Sequence, residues 1–221
     1  MMVKAREVVA DRPVARTGNG NGNGATVGGE WRRERGEPNP PIASVKLLAL
    51  LVCASSVMLF TAFTGAYIVL RHGFDQWPPV GLPKPPRELW INTAVIVASS
   101  LTLGWAQWAM HRNAGANARR GTLATLLLGL LFVALQVVIW NRFTAAGVRA
   151  STGSYGSIFY ALTFIHALHV LVGVVALGYA TVCLWRHEFW HNAVAQLDAC
   201  ALYWHFVGAM WLYLYVILCV I

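Results

Sequence analysis

Three histidines lie inside long apolar segments of the chain, where an ionisable side chain is costly and usually has a function. His166 and His169 are three residues apart, so they share one face of a helix, and His205 lies in the last apolar segment. Because neutral imidazole is a common ligand, His169 and His205 could hold a single haem. Hydrogen bonding across helices or to lipid headgroups is the favoured interpretation, since only three of the seven histidines are clearly inside these segments.

The rest of the sequence contains no pattern typical of an active site. No nucleophile stands beside a base, no carboxylates are paired, and no glycine-rich loop could hold a phosphate. Paired thiolates, which a dinuclear copper site needs, are also missing. The four cysteines occur singly in apolar runs and are predicted to be packing residues: Cys53, Cys183, Cys200 and Cys219. We therefore predict no catalytic, cofactor-binding or metal-ligating residue on this chain.

One carboxylate, Asp198, lies where the last apolar segment begins. A negative charge is favourable near the N-terminus of a helix, so we interpret it as a solvated helix start. A role in proton transfer is the alternative interpretation.

The elements that position these residues are predicted to be membrane-spanning helices. Hydrophobic residues make up 57% of the 221-residue chain and charged residues only 12%, against about a quarter in a typical soluble domain. Five apolar segments reach the roughly 20 residues that a helix needs to cross a bilayer. They cover about residues 45–70, 89–110, 121–140, 155–185 and 197–221. The predicted fold class is an all-α membrane protein, with a bundle of five transmembrane helices in residues 42–221.

The N-terminal segment, residues 1–41, is basic and rich in Gly and Asn, which predicts a disordered tail. The net charge of the chain is +8. Basic residues beside an apolar body indicate membrane topology or contact with anionic lipid. Nucleic acid binding is disfavoured because no recognition motif accompanies the charge. The Lys and Arg distribution predicts a cytoplasmic N-terminus and a periplasmic C-terminus.

Two motifs carry a family resemblance. Residues 155–173, YGSIFYALTFIHALHVLVG, resemble the pattern F(F/Y)-x-L-T-G-x-H-x-x-H-V-x-x-G of the cytochrome c oxidase subunit III family. Residues 203–212, YWHFVGAMWL, are similar to the YWHFVDxxWL motif of that family. Weaker matches extend the resemblance over about residues 45–221. Five helices match the shorter bacterial form, which lacks the first two helices of the seven-helix form.

The sequence departs from the family pattern at three carboxylate positions. Ser56 stands where the first matching helix commonly has an acid, Ile139 stands at the acid expected after the glutamine of the third segment, and Gly208 replaces the aspartate of HFVD. Asp198 remains where the family often carries an acid. The departures argue against a carboxylate-based proton role on this chain.

The resemblance implies a non-catalytic structural subunit of a proton-pumping oxidase that reduces O₂ to water in aerobic electron transport. Such a subunit stabilises the catalytic subunit and binds phospholipid, while haem and copper belong to partner subunits. The implied partners are oxidase subunits I and II, with subunit IV and a respiratory supercomplex as further candidates, in the bacterial plasma (inner) membrane. The candidates for lipid and helix-interface contacts are His166, His169, Asp198, Tyr203, Trp204, His205, Trp211, Arg71 and Arg112.

Two alternatives stay open from the sequence. The first is a subunit III homologue of a quinol oxidase or nitric oxide reductase complex. The second is a free-standing haem-binding membrane protein that uses His169 and His205.

Overall fold

The structure, a computed structural model, describes residues 40–151, 153–186 and 190–219. They form five α-helices: α1 (Pro40–His72), α2 (Leu89–His111), α3 (Gly115–Ala145), α4 (Ser154–Arg186) and α5 (Trp190–Cys219). Each is long and apolar enough to cross a membrane, and no strand occurs in these ranges. The predicted fold class, an all-α bundle of five transmembrane helices, is confirmed. The predicted tail lies outside the described residues, apart from Pro40 and Pro41 in the first turn of α1.

The helices extend beyond the apolar segments predicted from the sequence. Helix α3 begins at Gly115 rather than near residue 121 and ends at Ala145 rather than near residue 140. An apolar segment marks only the part of a helix that crosses hydrocarbon, whereas backbone hydrogen bonds continue into the polar interface. The end of α3 is followed by Gly147 with φ +92°, a left-handed conformation that glycine adopts readily and that terminates helices.

Small residues set the closest helix contact, the one between α2 and α3. A Cβ added at Gly121 of α3 would lie 2.8 Å from the Cβ of Ala106 in α2. Helices in membranes associate through such small residues because their backbones can then approach closely. The same two helices share a buried amide pair, in which Asn92 Nδ2 donates to Gln136 Oε1 at 2.8 Å.

The remaining packing gives α4 and α5 the most neighbours, three helices each. Helix α5 contacts α1, α2 and α4, and α3 contacts α2 and α4. Helix α1 contacts only α4 and α5 among the described residues, so it lies at one side of the bundle. The largest fully buried side chains include Trp204 and Trp211 of α5 and Phe132 of α3. The core is therefore aromatic and is organised around α5.

Candidate helix-interface and lipid site

Trp204 of α5 fills a slot that two glycines leave open. A Cβ added at Gly129 of α3 would lie 2.6 Å from the Cη2 atom of Trp204, and one at Gly173 of α4 would lie 2.9 Å from Cε3. The indole Nε1–H donates to Ser99 Oγ of α2 at 3.0 Å. This single side chain, which is fully buried, therefore joins α5 to three of the other four helices, α2, α3 and α4.

Two further aromatic donors of α5 also bond across helices. The Nε1–H of Trp211 donates to Thr93 Oγ1 of α2 at 3.0 Å. The hydroxyl of Tyr203 donates to the carbonyl of His169 in α4 at 3.0 Å. Hydrocarbon offers no alternative partner to an indole or phenol donor, so such bonds hold helices in one register. Tyr203, Trp204 and Trp211 are thus used for contacts between helices.

His166 of α4 is enclosed by aromatic rings. It is 1% exposed, and its ring centroid lies 5.0 Å from that of Trp211, 6.0 Å from Phe132 and 6.3 Å from Phe60. Neither ring nitrogen has a hydrogen-bond partner within the described residues. A charged imidazole would be very costly in these surroundings, so the side chain acts as a packing residue for α1, α3 and α5.

His169 lies one turn further along α4, on the same side of the helix as predicted. Its ring centroid is 5.5 Å from that of Phe60 in α1, and its Nδ1–H donates to the Ile165 carbonyl at 2.8 Å. One ring nitrogen is therefore used within the helix itself, and the ring packs between α4 and α1.

His205 has a different environment from the other two histidines. It lies on the exposed face of α5 and makes no hydrogen bond, ion pair or ring contact within the part of the chain that the structure describes. His169 instead packs against α1. The described residues contain no group of three or more His, Cys, Asp or Glu side chains that could hold a metal ion. Geometry thus places His166 in the interior, His169 partly buried against α1 and His205 on the outer surface.

Asp198 lies beyond the first turn of α5, since that helix begins at Trp190 rather than near residue 197. Its Oδ1 accepts a hydrogen bond from Gln107 Nε2 at 3.1 Å and lies 3.4 Å from His111 Nε2. Both partners belong to the end of α2. The carboxylate therefore joins α2 to α5, and the interpretation of Asp198 as a helix start is replaced by this interhelical contact. The sequence did not identify Gln107 or His111, because a contact between distant helices leaves no local pattern.

The two candidate arginines lie at helix ends. The guanidinium carbon of Arg112 lies 4.1 Å from the ring centroid of Trp108, a cation–π contact. Arg71 is in the last turn of α1, and its Nη1 atom is buried without a hydrogen-bond partner among the described residues. A buried guanidinium nitrogen of this kind favours an anionic partner, such as a phosphate.

An apolar groove of about 190 Å³ opens between α1, α4 and α5. Its wall is formed by Val45, Leu48, Ala49, Val52, Val172, Ala176, Ala199, Cys200 and Tyr203. The exposed Lys46 follows Val45, one of these residues, in the same turn of α1. An apolar groove near a basic side chain has the chemistry of a site for the acyl chain and headgroup of a phospholipid.

The three positions where the family pattern expects acids are occupied by residues that pack. Ser56 Oγ donates to the Val52 carbonyl of its own helix at 2.7 Å. Ile139 is buried at 3% exposure. A Cβ added at Gly208 would lie 3.1 Å from Ser100 Oγ of α2, so the glycine allows α5 to approach α2 closely.

Comparison with known proteins identifies the family. The family model of cytochrome c oxidase subunit III matches residues 40–220. The chain is 32% identical over 191 residues to cytochrome c oxidase subunit 3 of Loxodonta africana, covering 82% of this chain and 71% of that protein. It is 34% identical over 178 residues to the protein of the same name from Anopheles gambiae, covering 76% of this chain and 65% of that protein. The corresponding protein of Pan troglodytes is 32% identical over 195 residues, covering 82% and 72%. The chain therefore belongs to the cytochrome c oxidase subunit III family and is part of an oxidase complex in a membrane.

Proposed function

We propose that this chain is the non-catalytic structural subunit of a proton-pumping cytochrome c oxidase and stabilises its catalytic subunit. The observation that carries the proposal is that residues of the two family motifs connect the helices of the bundle. Trp204, Trp211 and Tyr203 donate hydrogen bonds to neighbouring helices, and His166 is enclosed by aromatic rings. Residues used in this way build a rigid bundle that can support a neighbour in the membrane.

Haem and copper are expected in partner subunits. On this chain, the polar groups of Tyr203, Trp204 and Trp211 already serve contacts between helices. Cytochrome c is favoured over quinol as the electron donor of the complex, because the curated relatives are named cytochrome c oxidase subunit 3.

Co-purification tests the proposal. An affinity-tagged chain is expected to bring a haem-containing catalytic subunit with it in a mild detergent, together with the absorption bands of haem. Isolation of the tagged chain alone, from cells that make active oxidase, would contradict the proposal. A Soret band on the isolated chain would instead support the haem-binding alternative, with His169 and His205 as the candidate ligands.

Phospholipid binding is the second part of the proposed function. The apolar groove near Lys46 is the proposed binding site for an acyl chain on one side of the membrane. The Nη1 atom of Arg71, which has no hydrogen-bond partner among the described residues, is the proposed binding site for a phosphate on the other side. Helix α1 spans between these points, so the two sites would lie in opposite leaflets.

The proposed location is the bacterial plasma membrane, with the N-terminus in the cytoplasm and the C-terminus in the periplasm. The proposed partners are subunits I and II, with subunit IV and a supercomplex as further candidates. The excess of basic residues near the first helix and at the α2–α3 end of those helices, where Arg112, Arg119 and Arg120 lie, supports this orientation.

A further inference from the structure

His205 is an exposed polar side chain near the middle of a membrane-spanning helix. The apolar span of α5 runs from Val194 to Cys219, so His205 lies about 16 Å from one end and about 21 Å from the other at the usual rise per residue. An imidazole is too short to reach either interface. Hydrocarbon chains cannot hydrogen-bond to it, so lipid alone would leave both ring nitrogens unsatisfied at this depth.

The surface around His205 is shaped to receive a helix. Helix α5 has α1 on one side and α2 on the other, and within the described residues α1 and α2 do not contact each other. A shallow groove is therefore open between them, with the outward face of α5 as its floor. On the α2 side, α5 is joined to α2 both before and after His205, by the contact of Asp198 with Gln107 and by that of Trp211 with Thr93.

The surface around His205 combines apolar side chains with small and polar ones. Its α5 floor carries Leu202, His205 and Ala209, all exposed, and its α1 wall carries Thr61 and Gly65. A Cβ added at Gly65 would meet nothing within 4 Å. Small and hydroxyl-bearing residues are enriched where membrane helices pack together, because they permit close approach.

The outer surface of α4 offers a comparison. Its exposed residues at similar depth include Leu168 at 46%, Leu171 at 42% and Val172 at 59% exposure, all of them bulky and aliphatic. Such a surface is well solvated by acyl chains. At this depth the exposed residues of α4 are all apolar, whereas α5 exposes His205.

From the depth of His205 in the membrane, the groove around it and the composition of that groove, we infer that the outward face of α5 binds a transmembrane helix from another oxidase subunit. That helix carries a hydroxyl or amide side chain at mid-membrane depth, which hydrogen-bonds to His205. The inference rests on the proposed function and adds to it the surface of contact and the chemistry that the partner must supply.

Site-specific photocross-linking in the intact, purified oxidase tests the inference. A benzophenone amino acid replaces Leu202, one turn from His205, and the matched control replaces Leu168 on α4. The two leucines are similarly exposed, at 43% and 46%. Irradiation is expected to join position 202 to another oxidase subunit, identified by mass, whereas position 168 yields lipid adducts or none.

The histidine itself is tested in the same assay. His205→Ala is expected to lower the yield of the subunit adduct at position 202 by about three-fold to fifteen-fold, the range set by a single hydrogen bond between membrane helices. His205→Asn, which keeps hydrogen-bonding groups, is expected to retain most of the adduct.

Three results would overturn the inference: equal subunit adducts at positions 202 and 168, lipid adducts alone at 202, or an adduct of two copies of this chain at 202. If any of these occurred while the catalytic subunit still co-purified with the unmodified chain, the inference would fail and the proposed function would stand. If the catalytic subunit did not co-purify with the unmodified chain, both the inference and the proposed function would fail.

Discussion

At the scale of single residues, the chain uses its aromatic and histidine side chains mainly to connect helices. Trp204 is the clearest case, because its ring is in contact with glycines on two helices and its Nε1–H bonds to Ser99 on a third. The motif letters YWHFV identified these residues as important. Their partners could not be predicted, because Gly129, Gly173 and Ser99 are separated from Trp204 in sequence and share no pattern with it.

The Trp204 slot gives a prediction about Gly129. Gly129→Val introduces a branched side chain whose Cβ would lie 2.6 Å from the indole ring, so the bundle must shift. We expect a loss of about 1–3 kcal/mol in the free energy of unfolding, measured by SDS titration of the purified protein. The control is Gly65→Val, where a Cβ meets nothing within 4 Å. Equal losses of unfolding free energy for both variants would contradict the conclusion that Gly129 leaves space for the Trp204 ring.

At the scale of helices, contacts between their ends fix how α2 meets its neighbours. Asp198 of α5 bonds to Gln107 at one end of α2. At the other end, the Oε1 of Glu88 lies 2.8 Å from Arg142 Nη1 of α3. The length of the apolar segments predicted the helices because a bilayer imposes a minimum length on each one. It could not predict their register, which depends on such pairs between distant segments.

The Glu88–Arg142 pair predicts a small pH dependence of stability. Hydrogen bonding to its own backbone N–H and then to Arg142 holds the pKa of Glu88 below its usual value. A lowered pKa in the folded state means that the stabilisation is complete above the unfolded-state pKa and is lost as the pH falls through the folded-state value. Because both side chains are exposed, at 64% for Arg142 and 41% for Glu88, we expect about 0–1 kcal/mol.

This dependence is measured by SDS titration between about pH 7 and pH 3, where exposed glutamates titrate. The stability difference between the wild type and Glu88→Gln should shrink as the pH falls. Arg142→Gln should show the same behaviour. A difference that stays constant across the range would exclude the ion pair as its source.

At the scale of the whole molecule, five transmembrane helices, the family and the membrane setting were predictable from the sequence. Composition and segment length alone indicate five helices, and the two motifs indicate the family. The direction in which each histidine points was not predictable, since His166 and His205 lie in similar apolar runs. Only the packing of α1, α2 and α4 around α5 separates the buried His166 from the exposed His205.

The lipid proposal predicts a change in bound phospholipid. Arg71→Gln removes the guanidinium whose Nη1 atom is buried without a partner among the described residues, so we expect about one phospholipid fewer per purified complex, in keeping with one charge-assisted contact per phosphate. The measurement is native mass spectrometry with a phosphorus assay. Lys84→Gln, at an exposed loop position, is the control and should leave the lipid content unchanged. Unchanged lipid content in both variants would argue against Arg71 as a headgroup site.

The proposed orientation predicts which loops are reachable from outside the cell. Lys84→Cys lies in the α1–α2 connection and should react with a membrane-impermeant maleimide in intact cells. Asn117→Cys, at the start of α3 and exposed, should react only after the membrane is opened. The unsubstituted chain controls for its own cysteines. The reverse pattern of labelling would place the N-terminus outside.

The position of α1 bears on how the protein is made. It is the first of the five helices to be synthesised, yet its only contacts among the described residues are with α4 and α5, the last two. Until those helices enter the membrane, α1 has no other described helix of this chain to pack against. The α2–α3 hairpin, by contrast, is complete as soon as it is inserted. A chain interrupted before α4 would leave its first helix unattached in the bilayer, and insertion factors or membrane proteases could recognise it as unfinished.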